Sequence, residues 1–397
     1  MLIGIVGKAN VGKSTFFKSI TLADILIANY PFATIDPNKA FAFVRIDCVD
    51  KEFNTQCNPR FGTCINHQRF VPVEVMDVAG LVPGAHLGKG MGLTFLDDLR
   101  QADAFVHVVD MAGSTNEKGE PITPGTYDPA NDIRFLEVEL DMWVFGIIKK
   151  GWEKTSRSLQ QEKGQVVKAL ATQLSGLNIS EGLVEEILKK LKLPLDRPTE
   201  WTDEQLKELA MTVRKKSKPM IIAANKMDLP TADANLVRIK KEFPDMPIIP
   251  VSADAELTLR TAAKAGLIEY LPGDKDFTIK GNLNPKQKEA LEYIRAHVLK
   301  KYDGTGAQKI LNTAVFDLLK YLAIFPGGMS KLADKDGNVL PDCFLLPPKT
   351  TALGFAAKIH TDLAKNFVAA MDVKARRKIG RDHELKDRDV IEILTSK

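Results

Sequence analysis

Residues 7–14 read G-K-A-N-V-G-K-S and match G-x-x-x-x-G-K-S, the pattern of a loop that binds the phosphates of a nucleotide. The apolar run at residues 2–6 predicts a short buried strand before this loop, and residues 14–23 predict a helix after it. A strand, the loop and a helix in this order are the structural context that the pattern requires. The sequence therefore predicts a phosphate site at residues 7–14.

The residues of this loop have separate predicted roles. Gly7 and Gly12 allow a tight turn that brings backbone N–H groups against phosphate oxygens, and the helix dipole favours negative charge at the same point. We expect Lys13 to reach the β- and γ-phosphates and the Ser14 hydroxyl to bind Mg²⁺. The nucleotide-binding residues predicted in this loop are Gly7, Ala9, Asn10, Val11, Gly12, Lys13, Ser14 and Thr15.

A second motif, N-K-M-D at residues 225–228, follows a predicted buried strand at residues 219–224. The carboxylate of Asp228 can accept hydrogen bonds from guanine N1–H and from the exocyclic amine, and adenine has no equivalent pair of donors, so the motif predicts selection of GTP over ATP. The aliphatic stem of Lys226 can cover the face of the base. A serine and an alanine later in the chain match the loop whose backbone N–H contacts guanine O6, although Asp254 replaces the lysine that usually follows. The predicted base-binding residues are Asn225, Lys226, Asp228, Ser252 and Ala253.

Two further stretches predict the Mg²⁺ site and the contact with the γ-phosphate. Residues 77–80 read D-V-A-G, in which the aspartate would hold Mg²⁺ through water and the glycine N–H would face the γ-phosphate. Thr34 lies 20 residues after Ser14 in a proline-containing loop, where its hydroxyl can be a second protein ligand of the ion. The glycine-rich residues 81–92 predict a mobile loop whose order depends on the γ-phosphate. The predicted catalytic residues are Lys13, Thr34 and Gly80, and the predicted Mg²⁺ ligands are Ser14, Thr34 and Asp77.

A cluster of metal-ligating residue types lies in an insertion between two predicted strands and consists of Cys48, Cys57, Cys64 and His67. Such clustering can indicate zinc, but the spacing is irregular and contains no C-x-x-C. The pattern therefore favours free buried thiols or a local disulfide, and a structural zinc site is the alternative.

These motifs need a sheet that brings their loops together. Apolar runs at residues 40–47, 70–76, 104–109 and 247–251 predict further core strands. Apolar residues at steps of three and four predict amphipathic helices between two of these strands, so that roughly residues 125–215 form a helical insertion or simply more core. The predicted fold class is α/β, a doubly wound and mostly parallel sheet.

The carboxyl-terminal part of the chain has a different pattern. Asn284 and Pro285 predict the start of a helix, because an asparagine cap and a proline in the first turn favour one. From about residue 319, short apolar runs alternate with glycine and proline turns around one predicted helix at residues 353–367, which indicates a small α+β domain. The predicted domains are residues 1–272 for the α/β domain, 273–318 for a helical connection and 319–397 for the α+β domain.

The composition is that of an ordinary globular protein. The 397 residues allow two or three domains, and the hydrophobic content of 44% and charged content of 27% are typical. A net charge of +4 does not by itself predict nucleic-acid binding. The amino terminus enters a predicted strand at once, which leaves no room for a signal peptide, and no apolar run reaches membrane-spanning length. We therefore expect a cytosolic protein without a membrane contact, and the sequence predicts no oligomeric state.

The motifs taken together resemble a known family. Residues 30–38 read Y-P-F-A-T-I-D-P-N and residues 77–85 read D-V-A-G-L-V-P-G-A, and with the phosphate and base motifs they resemble the Obg-like P-loop GTPases, in particular the YchF-related branch. Residues 346–363, L-P-P-K-T-T-A-L-G-F-A-A-K-I-H-T-D-L, and residues 385–394, L-K-D-R-D-V-I-E-I-L, resemble the TGS domain, a β-grasp module. The resemblance covers nearly the whole chain.

The resemblance implies a protein that binds GTP, hydrolyses it slowly to GDP and phosphate, and acts as a switch associated with ribosomes or translation RNA. YchF proteins proper have lost N-K-x-D and use ATP, whereas this chain keeps residues 225–228 and resembles a GTP-specific relative. A nucleotide-gated scaffold, or a metabolic regulator that responds to a small ligand and does not bind ribosomes, is the alternative. No second catalytic constellation accompanies the phosphate loop, which favours the switch.

The resemblance also bears on how hydrolysis proceeds. In Ras-like enzymes a glutamine directly after D-x-x-G orients the attacking water, and Leu81 occupies that position here. The family shares this hydrophobic replacement, so hydrolysis needs another orienting group, a cation or a partner. Asn10 matches the asparagine that binds K⁺ in some related GTPases, which makes K⁺ a candidate cofactor besides Mg²⁺ and the bound GTP or GDP.

A basic run in the TGS-like region lies between two apparent strands and consists of Lys374, Arg376, Arg377, Lys378 and Arg381. A basic turn of this kind can contact phosphates and release counterions, and a solvated charged hairpin is the alternative. Because the resemblance is to translation-associated GTPases, we expect a ribosome or RNA contact through the C-terminal domain.

Overall fold

A computed structural model gives the fold of the chain. Two of the predicted catalytic residues, Thr34 and Gly80, lie outside the residues that the structure describes, and so do Leu81 and the whole of the predicted loop at residues 81–92. Their predicted roles therefore stay predictions. The described residues are 1–21, 38–78, 99–161, 165–177 and 179–396.

The strands and helices of the described residues follow the predicted pattern closely. The strands are β1 (Leu2–Val6), β2 (Lys39–Asp47), β3 (Thr63–Ile65), β4 (Gln68–Asp77), β5 (Ala104–Asp110), β6 (Met220–Asn225), β7 (Ile248–Pro250), β8 (Ile268–Glu269), β9 (Thr278–Ile279), β10 (Leu322–Pro326), β11 (Phe344–Leu346), β12 (Phe367–Asp372), β13 (Arg377–Ile379) and β14 (Val390–Thr395). The α-helices are α1 (Lys13–Thr21), α2 (Ala130–Lys149), α3 (Trp152–Gln161), α4 (Val166–Gln173), α5 (Glu181–Leu191), α6 (Asp203–Ser217), α7 (Ala232–Glu242), α8 (Ala253–Lys264), α9 (Pro285–Ile294), α10 (Lys300–Tyr302), α11 (Ala307–Asn312), α12 (Ala352–Ile359) and α13 (Thr361–Lys365). Among the described residues, no helix combines the length and apolar composition that a membrane span requires.

The chain divides into two compact units. The first unit contains Met1–Phe17 and Val75–Ala253, and the second contains Lys18–Glu74 and Asp254–Lys397. Each unit is therefore built from two separate stretches of chain. The predicted domains at residues 1–272, 273–318 and 319–397 divide the sequence in another way and stay a prediction.

The first unit is organised around parallel strands in the order β1-β5-β6-β7. β1 pairs in parallel with β5, β5 with β6, and β6 with β7, which confirms the predicted doubly wound, mostly parallel sheet. Every residue of β1, β5 and β6 is buried, as expected for strands covered by helices on both faces. The carboxyl ends of these strands lie at one edge of the sheet, where loops of α/β proteins bind ligands.

Helices α2 to α6 lie between β5 and β6 in the sequence, at the position of the predicted helical insertion. α2 packs against α6, and the buried Arg214 of α6 is held by Asp141 at 2.7 Å and Glu137 at 3.2 Å, both on α2. A capping box begins α6, in which the side chains of Thr202 and Gln205 each pair with the backbone of the other. These contacts fix α2, the helix that follows the loop after β5.

The second unit contains a mixed sheet with the order β11-β10-β14-β12-β13. β10 and β14 are parallel, the other pairs are antiparallel, and α12 covers one face with the buried Phe355. β2 and β3 each pair with β4 in the same unit, and α9 begins at the predicted asparagine cap with proline in its first turn. The unit therefore contains the predicted β-grasp arrangement of strands around a helix.

The single helix predicted at residues 353–367 is wrong in its second half. α12 ends at Ile359, because His360 is extended with φ −161° and ψ 141°. The Asp362 N–H donates to His360 Nδ1 at 3.2 Å, and this cap starts the short helix α13. Phe367 then begins β12 instead of continuing the helix.

Candidate functional site

The loop at residues 7–14 connects β1 to α1 and requires glycine at two positions. Gly7 has a φ of +153°, and a Cβ there would lie 2.6 Å from the carbonyl oxygen of Val108 in β5. Gly12 has a φ of +92°, and a Cβ there would lie 2.3 Å from Nδ2 of Asn225. The loop backbone therefore lies directly against the sheet edge, and any side chain at these two positions would push it away.

Asn225, the last residue of β6, connects the phosphate loop to the loop after β7. Its side chain is 2% exposed, its Nδ2 donates to the carbonyl of Val11 at 2.9 Å, and its Oδ1 accepts the N–H of Ala253 at 3.1 Å. The phosphate motif, N-K-M-D and the serine-alanine loop are thus held in register by one amide. The predicted base contact of Asn225 stays a prediction, because the structure shows its amide bonded to the protein.

Lys226 and Asp228, which follow Asn225, contact polar side chains of the loops after β5 and β7. Ser252 Oγ donates to Asp228 Oδ1 at 2.7 Å, so the two motifs predicted to bind the base are in direct contact. Lys226 has a φ of +63°, and its Nζ lies 3.0 Å from Asp110 Oδ2 and 3.0 Å from Ser114 Oγ. The Asp228 carboxylate is therefore oriented by a hydroxyl, and the Lys226 stem is fixed along the edge by its charged end.

Lys13, Ser14 and Asp77 form a polar cluster at the start of α1. Lys13 Nζ lies 3.1 Å from Asp77 Oδ1, and Ser14 Oγ donates to Asp77 Oδ2 at 3.3 Å. A hydroxyl and a carboxylate so close together are the oxygen ligands that Mg²⁺ prefers, and they adjoin the glycine-lined loop that can cradle phosphates. These residues therefore fit a Mg²⁺–nucleoside phosphate.

A buried ion pair anchors the phosphate loop on its outer side. Lys8 Nζ lies 2.8 Å from Asp132 Oδ2 of α2, donates to the carbonyl of Thr115 at 3.1 Å and lies 3.8 Å above the ring of Tyr127. Burial raises the pKa of the Asp132 carboxyl even though the Lys8 ammonium acts against this shift. Burial together with the Lys8 charge lowers the pKa of His107 to about 3, so that this imidazole is neutral. The lysine inside the motif therefore acts as an anchor and does not point to solvent.

The loop after β5 covers the tip of the phosphate loop. Asn10 has a φ of +59°, and its Nδ2 donates to the carbonyl of Gly119 at 2.9 Å. A Cβ at Gly119 would lie 2.7 Å from Ala9 Cβ, so the two loops are in close contact. The predicted K⁺ contact of Asn10 stays a prediction, and its amide nitrogen is already bonded to the protein.

Two residues of the site, Asp110 and Asp132, were not predicted from the sequence as site residues. Asp110 is 1% exposed at the end of β5, where it accepts hydrogen bonds from the backbone of Ala112, from Ser114 and from Thr115. Asp132 was missed as the partner of Lys8. An aspartate that ends a core parallel strand is a signal that could have found Asp110, whereas nothing local in the sequence links Asp132 to the loop.

Three family models match the chain. The model described as "50S ribosome-binding GTPase" matches residues 2–133, and "Obg-like GTPase YGR210-like, G4 motif-containing domain" matches residues 223–327. The TGS domain model matches residues 333–395. The matched stretches contain the phosphate loop, the N-K-M-D motif and the predicted β-grasp domain.

Similar proteins cover the chain from end to end. An uncharacterized GTP-binding protein of Methanocaldococcus jannaschii is 48% identical over 100% of this chain and 99% of its own length. The ribosome-binding ATPase YchF of Bacillus subtilis is 33% identical over 93% of this chain and 87% of its own length. The crystal structure of a GTP binding protein from Pyrococcus horikoshii superposes with a TM-score of 0.79 and 38% identity, and each chain is fully covered.

The chain belongs to the Obg-like, YchF-related GTPases. The predicted resemblance, the P-loop GTPase fold and the C-terminal TGS domain are thereby confirmed. The assignment of individual residues to GTP, Mg²⁺ and K⁺ is not tested by these matches.

The basic run of the TGS domain lies on the β12–β13 hairpin of this Obg-like GTPase. Lys374 pairs with Glu52 at 2.8 Å, and Arg377 lies 3.7 Å from Asp372. Arg376, with a φ of +52°, and Lys378 are exposed. Carboxylates of the second unit therefore neutralise part of the positive charge of the run, and the rest is exposed to solvent.

The four cysteines of the chain form no disulfide. Cys48 and Cys57 are buried, Cys64 is half-buried, and Cys343 packs in the same apolar cluster. The Sγ atoms of Cys48 and Cys57 lie 3.4 Å apart, a separation of non-bonded thiols. The predicted local disulfide is therefore wrong for this structure, and the choice between free thiols and a zinc site stays a prediction.

Proposed function

We propose that the protein binds Mg²⁺·GTP at the edge of the first unit's sheet, hydrolyses it slowly to GDP and phosphate, and acts as a nucleotide-dependent switch on ribosomes. The observation that carries this proposal is the double hydrogen bond of Asn225 to Val11 and Ala253. It joins a loop suited to phosphates and a carboxylate suited to guanine in one rigid site. A site of this kind binds the two ends of one nucleotide.

Guanine selection rests on Asp228. Its carboxylate can accept from guanine N1–H and the exocyclic amine, and the Ser252 hydroxyl at 2.7 Å holds it in place. The relatives named YchF and Obg-like ATPase 1 are called ATPases, whereas the M. jannaschii relative is called GTP-binding. Because this chain keeps N-K-M-D at residues 225–228, we assign it to the GTP-specific side of the family.

Phosphate and metal binding use the cluster of Lys13, Ser14 and Asp77. Mg²⁺ neutralises charge on the phosphate oxygens when the nucleotide is bound. The Ser14 hydroxyl and the Asp77 carboxylate would hold the ion, and Lys13 would exchange Asp77 for phosphate oxygens. The ammonium of Lys13 then stabilises the charge that develops as water attacks the γ-phosphate. From the sequence we add two contacts to the proposal: the Thr34 hydroxyl binds Mg²⁺, and the Gly80 N–H faces the γ-phosphate. A K⁺ ion near Asn10 would supply the positive charge needed because Leu81 replaces the glutamine that orients water in Ras-like enzymes.

A titration with GTP, ATP and XTP tests the guanine assignment. The wild-type protein should bind GTP at least about 10²-fold more tightly than ATP, since each charged hydrogen bond to the base contributes about 1.5–3 kcal/mol. The Asp228→Asn variant should lose GTP affinity and gain XTP affinity, because an amide can donate to the second oxo group of xanthine. Equal affinity of the wild-type protein for GTP and ATP would overturn the assignment.

Ribosome association is supported by the names of the family model and of the B. subtilis relative. Co-sedimentation with ribosomes in the presence of a GTP analogue or GDP tests it. Binding that depends on the nucleotide would support the switch in the cytosol. Absence of binding would favour the metabolic regulator, and absence of single-turnover hydrolysis would favour the scaffold.

A further inference from the structure

Four metal-ligating side chains of the second unit converge between β2 and β4. They are Cys48, Asp50, Cys57 and Cys64, and their ligand atoms all lie within 4.8 Å of one another. The Sγ atoms of Cys48 and Cys57 are 3.4 Å apart, and Cys64 Sγ lies 3.6 Å from Asp50 Oδ2. In a tetrahedral site with zinc–sulfur bonds of about 2.3 Å, neighbouring sulfur atoms lie about 3.8 Å apart. The four groups are therefore spaced as ligands of a single ion.

The local backbone explains why an irregular spacing gives a compact cluster. Cys48 precedes a 3₁₀ turn that carries Asp50 inward, and its N–H donates to the carbonyl of His67 at 2.8 Å. Asn66 and His67 have φ values of +51° and +62° and form a two-residue hairpin between β3 and β4. The hairpin brings Cys64 back beside the turn. The fold thus assembles ligands that are far from one another in the sequence.

The charges around the cluster favour bound thiolates over neutral thiols. Arg69 is 1% exposed, and its guanidinium donates to the carbonyls of Leu340 at 2.9 Å and Pro341 at 3.2 Å and lies 3.4 Å from Cys57 Sγ. Within the described ranges no carboxylate lies within 4.0 Å of this guanidinium, and a buried charge without an opposite charge is costly. Asp50 is completely buried, and its carboxylate accepts the N–H of Cys57 at 2.8 Å. A dication bound by thiolates would pair with Asp50 and place negative sulfur next to Arg69.

We propose that Cys48, Cys57, Cys64 and Asp50 bind one Zn²⁺ ion as a closed structural site. Three thiolates select a soft or borderline metal such as zinc, and four protein ligands leave no open position for catalysis. The second oxygen of Asp50 lies 2.9 Å from His67 Nδ1, so His67 orients the carboxylate from outside the ligand set. The proposal is independent of the nucleotide site, whose described residues lie in the first unit.

The ion would hold the segment at residues 48–67 in the shape that fits the segment at residues 334–341, which precedes β11. Asn58 and Arg60 donate backbone hydrogen bonds to the carbonyls of Val339 and Pro341, each at 2.9 Å. Arg60 also pairs with Asp334 at 2.6 Å. The segment has little regular structure besides a 3₁₀ turn and the short strand β3. Cross-linking it through one metal replaces the stabilisation that regular structure would give.

Metal analysis of the full chain, purified without a metal-binding tag, tests the proposal. We expect one zinc per chain in the wild type and its loss in Cys57→Ser and Cys64→Ser. Cys343→Ser is the matched control, because Cys343 packs in the same apolar cluster but is outside the ligand set. This variant should keep its zinc. A wild type without metal, or both ligand variants with full zinc, would overturn the proposal.

A second measurement on the wild type does not depend on how the variants fold. After removal of the metal, Co²⁺ should give the intense visible absorption and sulfur-to-cobalt charge-transfer bands of a tetrahedral thiolate site, and Zn²⁺ should abolish them. A thiol reagent should react with three additional thiols per chain once a chelator is added. A Cys48–Cys57 disulfide in the protein as purified, or no spectral change with Co²⁺, would refute the site.

Discussion

Replacement of Asn225 by alanine would separate the two halves of the nucleotide site. The side chain is 2% exposed and makes one hydrogen bond to each loop, to Val11 at 2.9 Å and to Ala253 at 3.1 Å. Each bond contributes about 1 kcal/mol, and each backbone group that is left buried without a partner costs about 1–3 kcal/mol. With two backbone groups left unpaired, Asn225→Ala should therefore lower the free energy of unfolding by about 2–6 kcal/mol.

The affinity for nucleotide should fall together with stability. In the variant, the nucleotide itself must order the phosphate loop and the loop after β7, and about 1.4–2.8 kcal/mol of binding free energy is lost, which is ten- to a hundredfold. When Asn225→Ala is combined with Asp228→Asn, the affinity for XTP should fall by the same factor relative to Asp228→Asn alone. The reason is that Asn225 positions the two loops and its removal does not depend on which base is bound. Titration with a fluorescent guanine nucleotide and denaturant unfolding measure the two quantities.

Asn312→Ala is the matched control. Asn312 donates to the carbonyl of Arg45 at 2.6 Å and accepts the N–H of the same residue at 3.1 Å, so it also links two backbone groups, but in the second unit. It should lower stability by a similar amount and leave nucleotide affinity unchanged. If Asn225→Ala bound GTP as tightly as the wild type, Asn225 would not join the two loops functionally and the central argument for the site would fail.

Two further predictions concern hydrolysis and the TGS domain. K⁺ should accelerate GTP hydrolysis relative to Na⁺ at equal ionic strength, and Asn10→Ala should remove the difference; equal rates in the two salts for the wild type would exclude a K⁺ role. Neutralising Arg376, Arg377 and Lys378 together should weaken co-sedimentation with ribosomes and make its salt dependence shallower. As a control, neutralising three exposed lysines of the helical insertion, Lys189, Lys190 and Lys192, should change neither quantity. Unchanged binding of the first variant across a salt series would show that the basic run does not contact the ribosome.

The elements that carry the site could be predicted because their signals are local. β1, β5 and β6 are continuous apolar runs, and the motifs follow them directly, so parallel pairing alone brings their loops to one edge. The cap at Asn284 is likewise a local pattern. By contrast, the helix predicted at residues 353–367 was wrong in its second half, because apolar spacing does not show that His360 is extended.

Contacts between distant parts of the chain could not be predicted in this way. Lys8 lies inside the phosphate motif and pairs with Asp132 of α2 at 2.8 Å, a residue far along the chain. The amide of Asn225 is bonded to two backbone groups, of Val11 and Ala253, which the motif alone does not show. Such partners depend on how a loop packs over its neighbour, which no period or motif encodes.

The cysteine cluster is a second case in which the sequence did not show which residues lie together. Zinc motifs recognised in sequences have short, regular spacings because their ligands lie on one turn or one hairpin. Here Asp50 comes from a 3₁₀ turn, Cys48 from the residue before that turn, Cys64 from the strand β3, and Cys57 from the connection between turn and strand. The spacings of 9 and 7 residues between the cysteines therefore have no recognisable pattern. The arrangement becomes visible only through the two-residue hairpin that brings β3 back beside the turn. The buried Arg69, which has a sulfur but no carboxylate beside it among the described residues, then gives a physical reason to expect thiolates rather than thiols.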